Sequence, residues 1–207
     1  MTVGFNNKMK EFLMLTSAIA SSFLIGCGPQ AFVKGNYDKN VESTNLLTDE
    51  WSESDMQETV KSMVSSLIVH PVVAGAKTRP IVMVTQLQNK TSEHIDTQSI
   101  MDMVRVELMK SGKLSFVDKE ARQDIDSEYE YQNSGRVSSD TKKGPGGQKG
   151  ADFIVNGRLD SIVQEAGKEK TIYYKITLNL TSLKSGVIEW TDQKQIRKLY
   201  KKKTMGL

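Results

Sequence analysis

Cysteine occurs only once in this 207-residue chain, at Cys27. A single thiol excludes a disulfide within the chain, so the fold must be stable without one. Histidine is almost as scarce, with only His70 and His94, and a structural zinc site needs more cysteine and histidine ligands close together. We therefore predict a protein with no bound metal and no cofactor.

The chain also has no large excess of charge of either sign. The formal net charge is only +3, which is not the basic footprint of a nucleic-acid-binding domain, so we predict no nucleic-acid partner. Apolar residues make up 38% and charged residues 26%, which are ordinary proportions for a globular protein. The chain is therefore long enough and apolar enough for one domain with its own core.

The apolar run near the N-terminus is short. It covers about 14 residues, whereas a transmembrane helix needs roughly 20. Lys8 and Lys10 precede it, and Phe12–Phe23 carries no charge. The run ends in a four-residue box: Leu24, Ile25, Gly26 and Cys27. This order is typical of a bacterial lipoprotein signal, so we predict that residues 1–26 are removed and that Cys27 becomes the lipidated first residue.

Two other interpretations of the run stay open, a transmembrane helix and a buried helix with an incidental cysteine. The residue that follows the cysteine, Gly28, indicates which membrane holds the anchor. An aspartate at that position often retains a lipoprotein of enterobacterial type at the inner membrane. Its absence favours an anchor in the outer membrane, with the protein facing the periplasm.

The mature chain divides by composition into a tether, a domain and a tail. Residues 27–50 mix glycine, asparagine, serine and charge without a periodic pattern, and proline is too rare there to stiffen them. Residues 51–199 carry the periodic apolar patterns of a globular domain. Residues 200–207 are basic, and the run 197–203 either contacts anionic lipid or the acidic wall polymer, or is a frayed end.

Apolar spacing predicts three helices. Ser54 and Gln57 match a capping box for the first, which ends at His70 before Pro71. Asp96 or Thr97 caps the second, which stops at Ser111-Gly112, and the third covers about 119–131. Their inward residues are, in order, Met56, Val60, Met63, Val64 and Leu67; Ile100, Met103, Val104 and Leu108; and Ala121, Ile125 and Tyr129. The methionine-rich stripe of the first helix is either core or a partner-binding face.

Five strands complete the pattern. The apolar run Ile81–Val84 predicts a strand buried on both faces, and residues 114–117 predict a short strand. Residues 153–159, 172–180 and 188–196 alternate between apolar and polar side chains, which predicts an antiparallel meander with one face exposed to solvent. Gly167 and Gly186 fall in its turns. Residues 132–150 are rich in glycine and predict a surface loop. The fold class predicted is α+β, a two-layer mixed sheet with helices packed on one face.

The sequence contains few residues in a catalytic pattern. Glu93, His94 and Asp96 form the one candidate proton-transfer cluster, but acidic and hydroxyl residues between a strand and a helix are also explained by capping. No Gly-x-Ser-x-Gly or His-Glu-x-x-His pattern is present. We predict that the protein is not an enzyme, with a periplasmic hydrolase as the alternative.

Several segments resemble the LpoB family of penicillin-binding-protein activators. The matching segments are Asp55–Gln57, Arg79–Val82, Asn89–Thr97, Arg105–Lys113, Phe116–Lys119, Gly150–Phe153 with Gly157, and Gly186–Trp190. The stretch from Asn89 to Thr97 is the most specific, and the glycine-alanine-aspartate strand is shared more widely with TolB amino-terminal-like proteins.

The resemblance implies a fold similar to the TolB amino-terminal domain and a function without catalysis. Family members are outer-membrane lipoproteins that bind a class A bifunctional penicillin-binding protein, and peptidoglycan is a further candidate contact. It also implies a partner interface near four residues: Asn89, Thr91, Glu93 and His94. The short tether and the loop at 132–150 depart from the family pattern. The alternative function is an accessory lipoprotein of a secretion or appendage assembly.

Overall fold

A computed structural model describes residue 40 and residues 48–202. All helices and strands named below belong to one compact unit of the chain, which begins after residue 40. Within the described residues, no helix combines the length and the apolar character needed to cross a membrane. Cys27 and the box before it lie outside the described residues.

The domain contains four α-helices and five strands in the described residues. The helices are α1 (Glu53–Val69), α2 (Pro71–Ala74), α3 (Thr97–Lys110) and α4 (Arg122–Tyr131), the last continued by a π-helical turn, Gln132–Arg136. The strands are β1 (Ile81–Lys90), β2 (Ser115–Phe116), β3 (Phe153–Ala166), β4 (Glu169–Ser182) and β5 (Ile188–Lys201). They form one sheet in the order β2-β1-β3-β4-β5.

The sheet is mixed. β1 runs parallel to both β2 and β3, whereas β3, β4 and β5 form an antiparallel meander. Helices α1 and α3 pack on one side, and the opposite side is called the open face below. The predicted α+β architecture is therefore confirmed, with the core between the two helices and one side of the sheet.

Helix α1 begins two residues earlier than the sequence pattern predicts. The cap is Ser52, whose hydroxyl accepts from the Asp55 amide while the Asp55 carboxylate accepts from the Ser52 amide at 2.8 Å, so the prediction of Ser54 as the cap was wrong. The inward stripe is confirmed because Val60, Met63, Val64 and Leu67 are buried and Met56 packs against the core. In the described domain this stripe is core rather than a free surface.

Strand β1 differs from its prediction in length and in burial. It continues through Lys90, and it is buried on one side only, with Val82 and Val84 inward and Ile81 and Met83 half-buried. The continuous apolar run therefore misled the prediction of a strand covered on both faces. A bulge between Val84 and Leu87 then shifts the pairing of β1 with β3.

Helix α3 follows its sequence signals closely. The Asp96 carboxylate accepts from the amides of Gln98 and Ser99, at 3.0 and 3.2 Å. The buried side includes Ile100, Val104 and Leu108, with Met101 buried in place of the predicted Met103. Gly112 ends the helix at a φ of 68°, a conformation that glycine adopts without strain. Helix α4, by contrast, has no buried residue, and its predicted inner edge is only half-buried.

The meander is longer than predicted at its C-terminal end. β5 continues to Lys201, so the basic run from Arg197 to Lys201 is a strand and not a frayed tail. Lys198 is only 5% exposed. The predicted boundary of the domain at residue 199 is therefore too early, because alternate residues of the basic run contribute to the helix-covered side of the sheet.

Candidate functional site

The loop between β1 and α3 is held together by its own polar side chains. The Asn89 carboxamide oxygen accepts from the Thr91 amide at 2.9 Å, and the Asn89 amide group donates to the Glu93 carbonyl at 2.9 Å. The Thr91 hydroxyl accepts from the Glu93 amide at 3.1 Å. Three of the four residues that the resemblance suggests as an interface therefore fix the shape of this loop.

The Glu93 carboxylate joins the loop to two distant parts of the chain. One oxygen accepts from the Trp51 amide at 2.8 Å, and the other accepts a short hydrogen bond from the Tyr174 hydroxyl on β4. Burial, followed by this contact with Glu93, raises the pKa of Tyr174 above its usual range. The tyrosine therefore stays protonated and remains a donor to the carboxylate. Its ring also meets the Trp51 ring edge to face, with centroids 5.3 Å apart.

A buried ion pair continues this network to the last strand. The Lys198 ammonium lies 2.5 Å from the Asp55 carboxylate at the start of α1, and the two side chains are 3% and 9% exposed. The same ammonium lies 5.9 Å from the centre of the Tyr174 ring. Asp55, Lys198, Tyr174 and Glu93 thus form one connected polar cluster between α1, the sheet and the β1–α3 loop.

Residues 48–51, called the strap below, are bound to this cluster and to the end of β5. Lys198 donates to the carbonyls of Glu50 at 2.7 Å and Thr48 at 3.2 Å, and the Tyr200 hydroxyl donates to the Thr48 carbonyl. Asp49 pairs with Lys170 at 2.8 Å. The hydrogen bond and charge of this pair lower the pKa of Asp49 and raise that of Lys170. The predicted tether at 27–50 therefore ends before residue 48.

The strap and the β1–α3 loop face each other across an open groove of about 610 Å³. One wall is formed by the strap and the first turn of α1, and the other by the loop and the first turn of α3. The lining residues are Glu50, Trp51, Ser52, Glu53, Met56, Ser92, Glu93, His94, Ile95, Asp96 and Ser99. Both walls are held by internal hydrogen bonds, so the groove is a preformed surface.

Two of the three groups that a hydrolase would need, Glu93 and Asp96, are engaged in structural contacts. The Glu93 carboxylate is bound by Trp51 and Tyr174, and the Asp96 carboxylate caps α3. In the described part of the chain, no hydrogen bond joins the exposed His94 to either carboxylate. Nor does any group of three or more potential ligands among these residues come together to hold a metal ion. Glu93 and Asp96 thus act in this structure as parts of the fold.

The structure brings together some of the residues singled out by sequence and adds others. Asn89, Thr91 and Glu93 form one network, and His94 stands at the wall of the groove. The sequence did not predict that the strap binds the domain or that Lys198 is buried. A lysine in a basic run carries no sequence signal of burial. The four residues of the lipoprotein box lie outside the described residues, so the lipidation of Cys27 stays a prediction.

A comparison with protein families matches residues 55–196 to the family described as peptidoglycan-synthase activator LpoB. The chain belongs to the LpoB family. The match extends from the first turn of α1 to within β5, and it includes the whole β1–α3 loop. The resemblance read from the sequence is thus confirmed.

Solved structures of LpoB proteins are similar to this chain at low identity. The LpoB C-terminal domain from Escherichia coli has 14% identity and a TM-score of 0.44, and that from Salmonella enterica has 14% and 0.42. Each comparison covers 69% of this chain and 98% of the other. The NMR structure of E. coli LpoB covers 87% of both chains at 13% identity and a TM-score of 0.41. No curated protein matches the chain.

Proposed function

We propose that this LpoB-family chain is an outer-membrane lipoprotein that binds a class A penicillin-binding protein and raises its glycan-polymerising and crosslinking activity. Membership of the family implies a role as a penicillin-binding-protein activator in peptidoglycan synthesis. The observation that carries the proposal is the family match across residues 55–196, which covers nearly the whole described domain. The basic start, the apolar run and the box ending at Cys27 support the lipid anchor.

The groove between the strap and the β1–α3 loop is the proposed contact surface for the synthase. Its walls are rigid, since Glu93 ties the loop to Trp51 and Tyr174. Ser92 and His94 are exposed at the loop side of the groove, where a partner meets them first. A preformed surface loses little conformational entropy on binding, which suits a protein that acts by contact alone.

The length of the tether limits where the synthase is met. Residues 27–47 connect the proposed anchor to the strap and reach about 70 Å when fully extended. The synthase must therefore come within this distance of the anchoring membrane, and peptidoglycan lies within the same zone as a further proposed contact.

The test uses a soluble chain of residues 28–207, which contains every described helix and strand, together with class A synthases of the same organism. We expect binding at micromolar concentration and a faster rate of glycan polymerisation. Ser92→Arg places a bulky charge at the exposed wall of the groove and should weaken binding at least tenfold.

Gln193→Arg is the matched control, because it adds the same charge at an exposed position of β5 away from the groove. It should bind and activate like the unmodified chain. Absence of binding to every class A synthase of the organism would contradict the proposed function. Equal loss in the two variants would contradict the groove as the contact surface.

A further inference from the structure

The open face of the sheet carries a cluster of exposed apolar side chains at the end where β3 turns into β4. Ile162 pairs directly with Tyr173, and Leu199 lies diagonally across from Tyr173 on the next strand. Ile162 is 56% exposed, Leu199 is 71% exposed, and Tyr173 is half-buried. Single exposed apolar residues are common on proteins, but three neighbours on three strands form a patch.

Basic side chains border this patch. Arg197 pairs with Tyr173 in the same row, and Lys201 follows Leu199 on the same face of β5. Lys201 meets Glu169 at 3.0 Å, but both side chains are largely exposed, so the pair is weak and open to exchange. Arg197 forms no ion pair with any described residue. The patch therefore combines apolar anchors with cationic groups, as surfaces that bind anionic bilayers do.

The strap brings the anchored end of the chain to the same end of the sheet. Tyr200 and Lys198, the neighbours of Leu199, bind the Thr48 carbonyl from the helix-covered side of β5. Residues 27–47 end at this point, and a chain of that length reaches at most about 70 Å from the proposed lipid anchor. A patch beside this point lies within that reach of the membrane that holds the proposed anchor.

We infer that the patch formed by Ile162, Tyr173 and Leu199, with Arg197 and Lys201, is a docking surface for the anionic phospholipid headgroups of the membrane that holds the anchor. This inference rests on the lipid anchor of the proposed function. It adds a contact made by the folded domain to the contact made by the lipid anchor, and so would hold the domain against the membrane surface. The groove lies on the helix-covered side of the sheet, so the membrane and the synthase use different surfaces.

The experiment measures co-sedimentation of soluble residues 28–207 with phosphatidylcholine vesicles, with and without about one third phosphatidylglycerol. The helices, strands and core all lie within this segment, so it contains the complete domain. We expect binding to the anionic vesicles only, and weaker binding as salt is raised. Absence of binding to the anionic vesicles would overturn the inference.

Two pairs of matched variants test the apolar anchors. Ile162→Ser with Leu199→Ser should lower vesicle binding about tenfold, since each change removes a side chain that inserts between headgroups. Val187→Ser with Ile188→Ser removes two side chains of similar exposure at the opposite end of the β4–β5 pair and should change nothing. Equal effects of the two double variants would overturn the inference.

A charge comparison gives a second readout that leaves the apolar residues intact. Arg197→Gln with Lys201→Gln should lower binding to anionic vesicles about 25-fold, because each of the two cations near such a surface contributes about a factor of five. Lys142→Gln with Lys143→Gln removes the same charge from the exposed loop that follows the π-helical turn and should have little effect. Equal losses would again contradict a specific surface.

Synthase activation in detergent micelles separates this inference from the proposed function. The Ile162→Ser and Leu199→Ser protein should activate the synthase normally, and the Ser92→Arg protein should bind vesicles normally. If the patch variant instead loses activation while keeping vesicle binding, the patch is a synthase contact and the membrane assignment is wrong. If the protein binds anionic vesicles but binds no class A synthase, the proposed function is wrong and the membrane-docking surface is still supported.

Discussion

Lys198 and Lys201 lie three residues apart on β5, and each pairs with a carboxylate, but the two pairs occupy opposite environments. Lys198 meets Asp55 at 2.5 Å with side chains that are 3% and 9% exposed. Lys201 meets Glu169 at 3.0 Å with side chains that are 80% and 65% exposed. The alternation of a strand places the first on the helix-covered side and the second on the open face. Water therefore screens one pair and is excluded from the other, which decides how much each contributes to stability.

The largest effect is expected from Lys198→Met, which keeps the length of the side chain and removes its charge. Asp55 is then a buried carboxylate without its partner, and the carbonyls of Thr48 and Glu50 lose a donor. The free energy of unfolding should fall by about 3–5 kcal/mol. Urea denaturation of residues 28–207 at neutral pH measures it.

An added Asp55→Asn change provides the control for this prediction. It removes the buried charge and keeps a side-chain oxygen for the Ser52 amide, so it should restore about 1 kcal/mol or more in the Lys198→Met background. A loss below about 1 kcal/mol for Lys198→Met alone would show that the pair is not isolated from water.

An intermediate effect is expected from Tyr174→Phe, on the helix-covered side of β4. It removes the hydroxyl that donates to the Glu93 carboxylate and should cost about 1.5–3 kcal/mol, the usual range for a hydrogen bond to a charged group. Tyr173→Phe changes the neighbouring residue on the open face and should stay within about 0.5 kcal/mol. Similar losses from both tyrosines would mean that the side of the sheet does not matter.

The Tyr174 contribution should also depend on pH. Burial and Glu93 raise the folded-state pKa above the unfolded value of about 10, so the folded state holds the proton more tightly. The stabilisation is complete below pH 10 and is lost as the pH rises beyond it, at about 1.4 kcal/mol per pH unit. The difference between the unmodified chain and Tyr174→Phe should therefore shrink between pH 10 and 11, and a constant difference would contradict the buried contact.

The smallest effect is expected from Lys201→Ala. The pair with Glu169 is exposed at both ends, so its removal should change the free energy of unfolding by no more than about 0.5 kcal/mol. Denaturation at low and high salt should give the same small difference. A loss above about 1 kcal/mol would remove the contrast with Lys198.

Much of the fold could be predicted because local patterns carry it. The stripe of α1, the Asp96 cap of α3 and the alternation of β4 each depend on residues close in sequence. The first cap was misplaced because Ser52 and Ser54 both offer a hydroxyl three residues before a side chain that can return the bond. The burial of β1 was misjudged because apolar residues on an exposed face look the same in sequence as those in a core.

The site was less predictable because distant contacts form it. Asn89, Thr91 and Glu93 were identified through a family resemblance, but their role in shaping the loop depends on their mutual hydrogen bonds. The strap bonds to Lys198 across 148 and 150 positions of sequence. No local pattern distinguishes such a lysine from its solvated neighbours.

The strap also determines how the domain responds to load. The Thr48 carbonyl accepts from Tyr200 on β5 and the Asp49 carboxylate pairs with Lys170 on β4, so a pull on the chain before residue 48 loads these contacts first. The antiparallel ladders of the meander lie beyond these contacts. Release of residues 48–51 lengthens the free chain by about 13 Å. The same release withdraws Trp51 from the edge of the core and from the Glu93 carboxylate, so the reach of the protein is coupled to the shape of the β1–α3 loop.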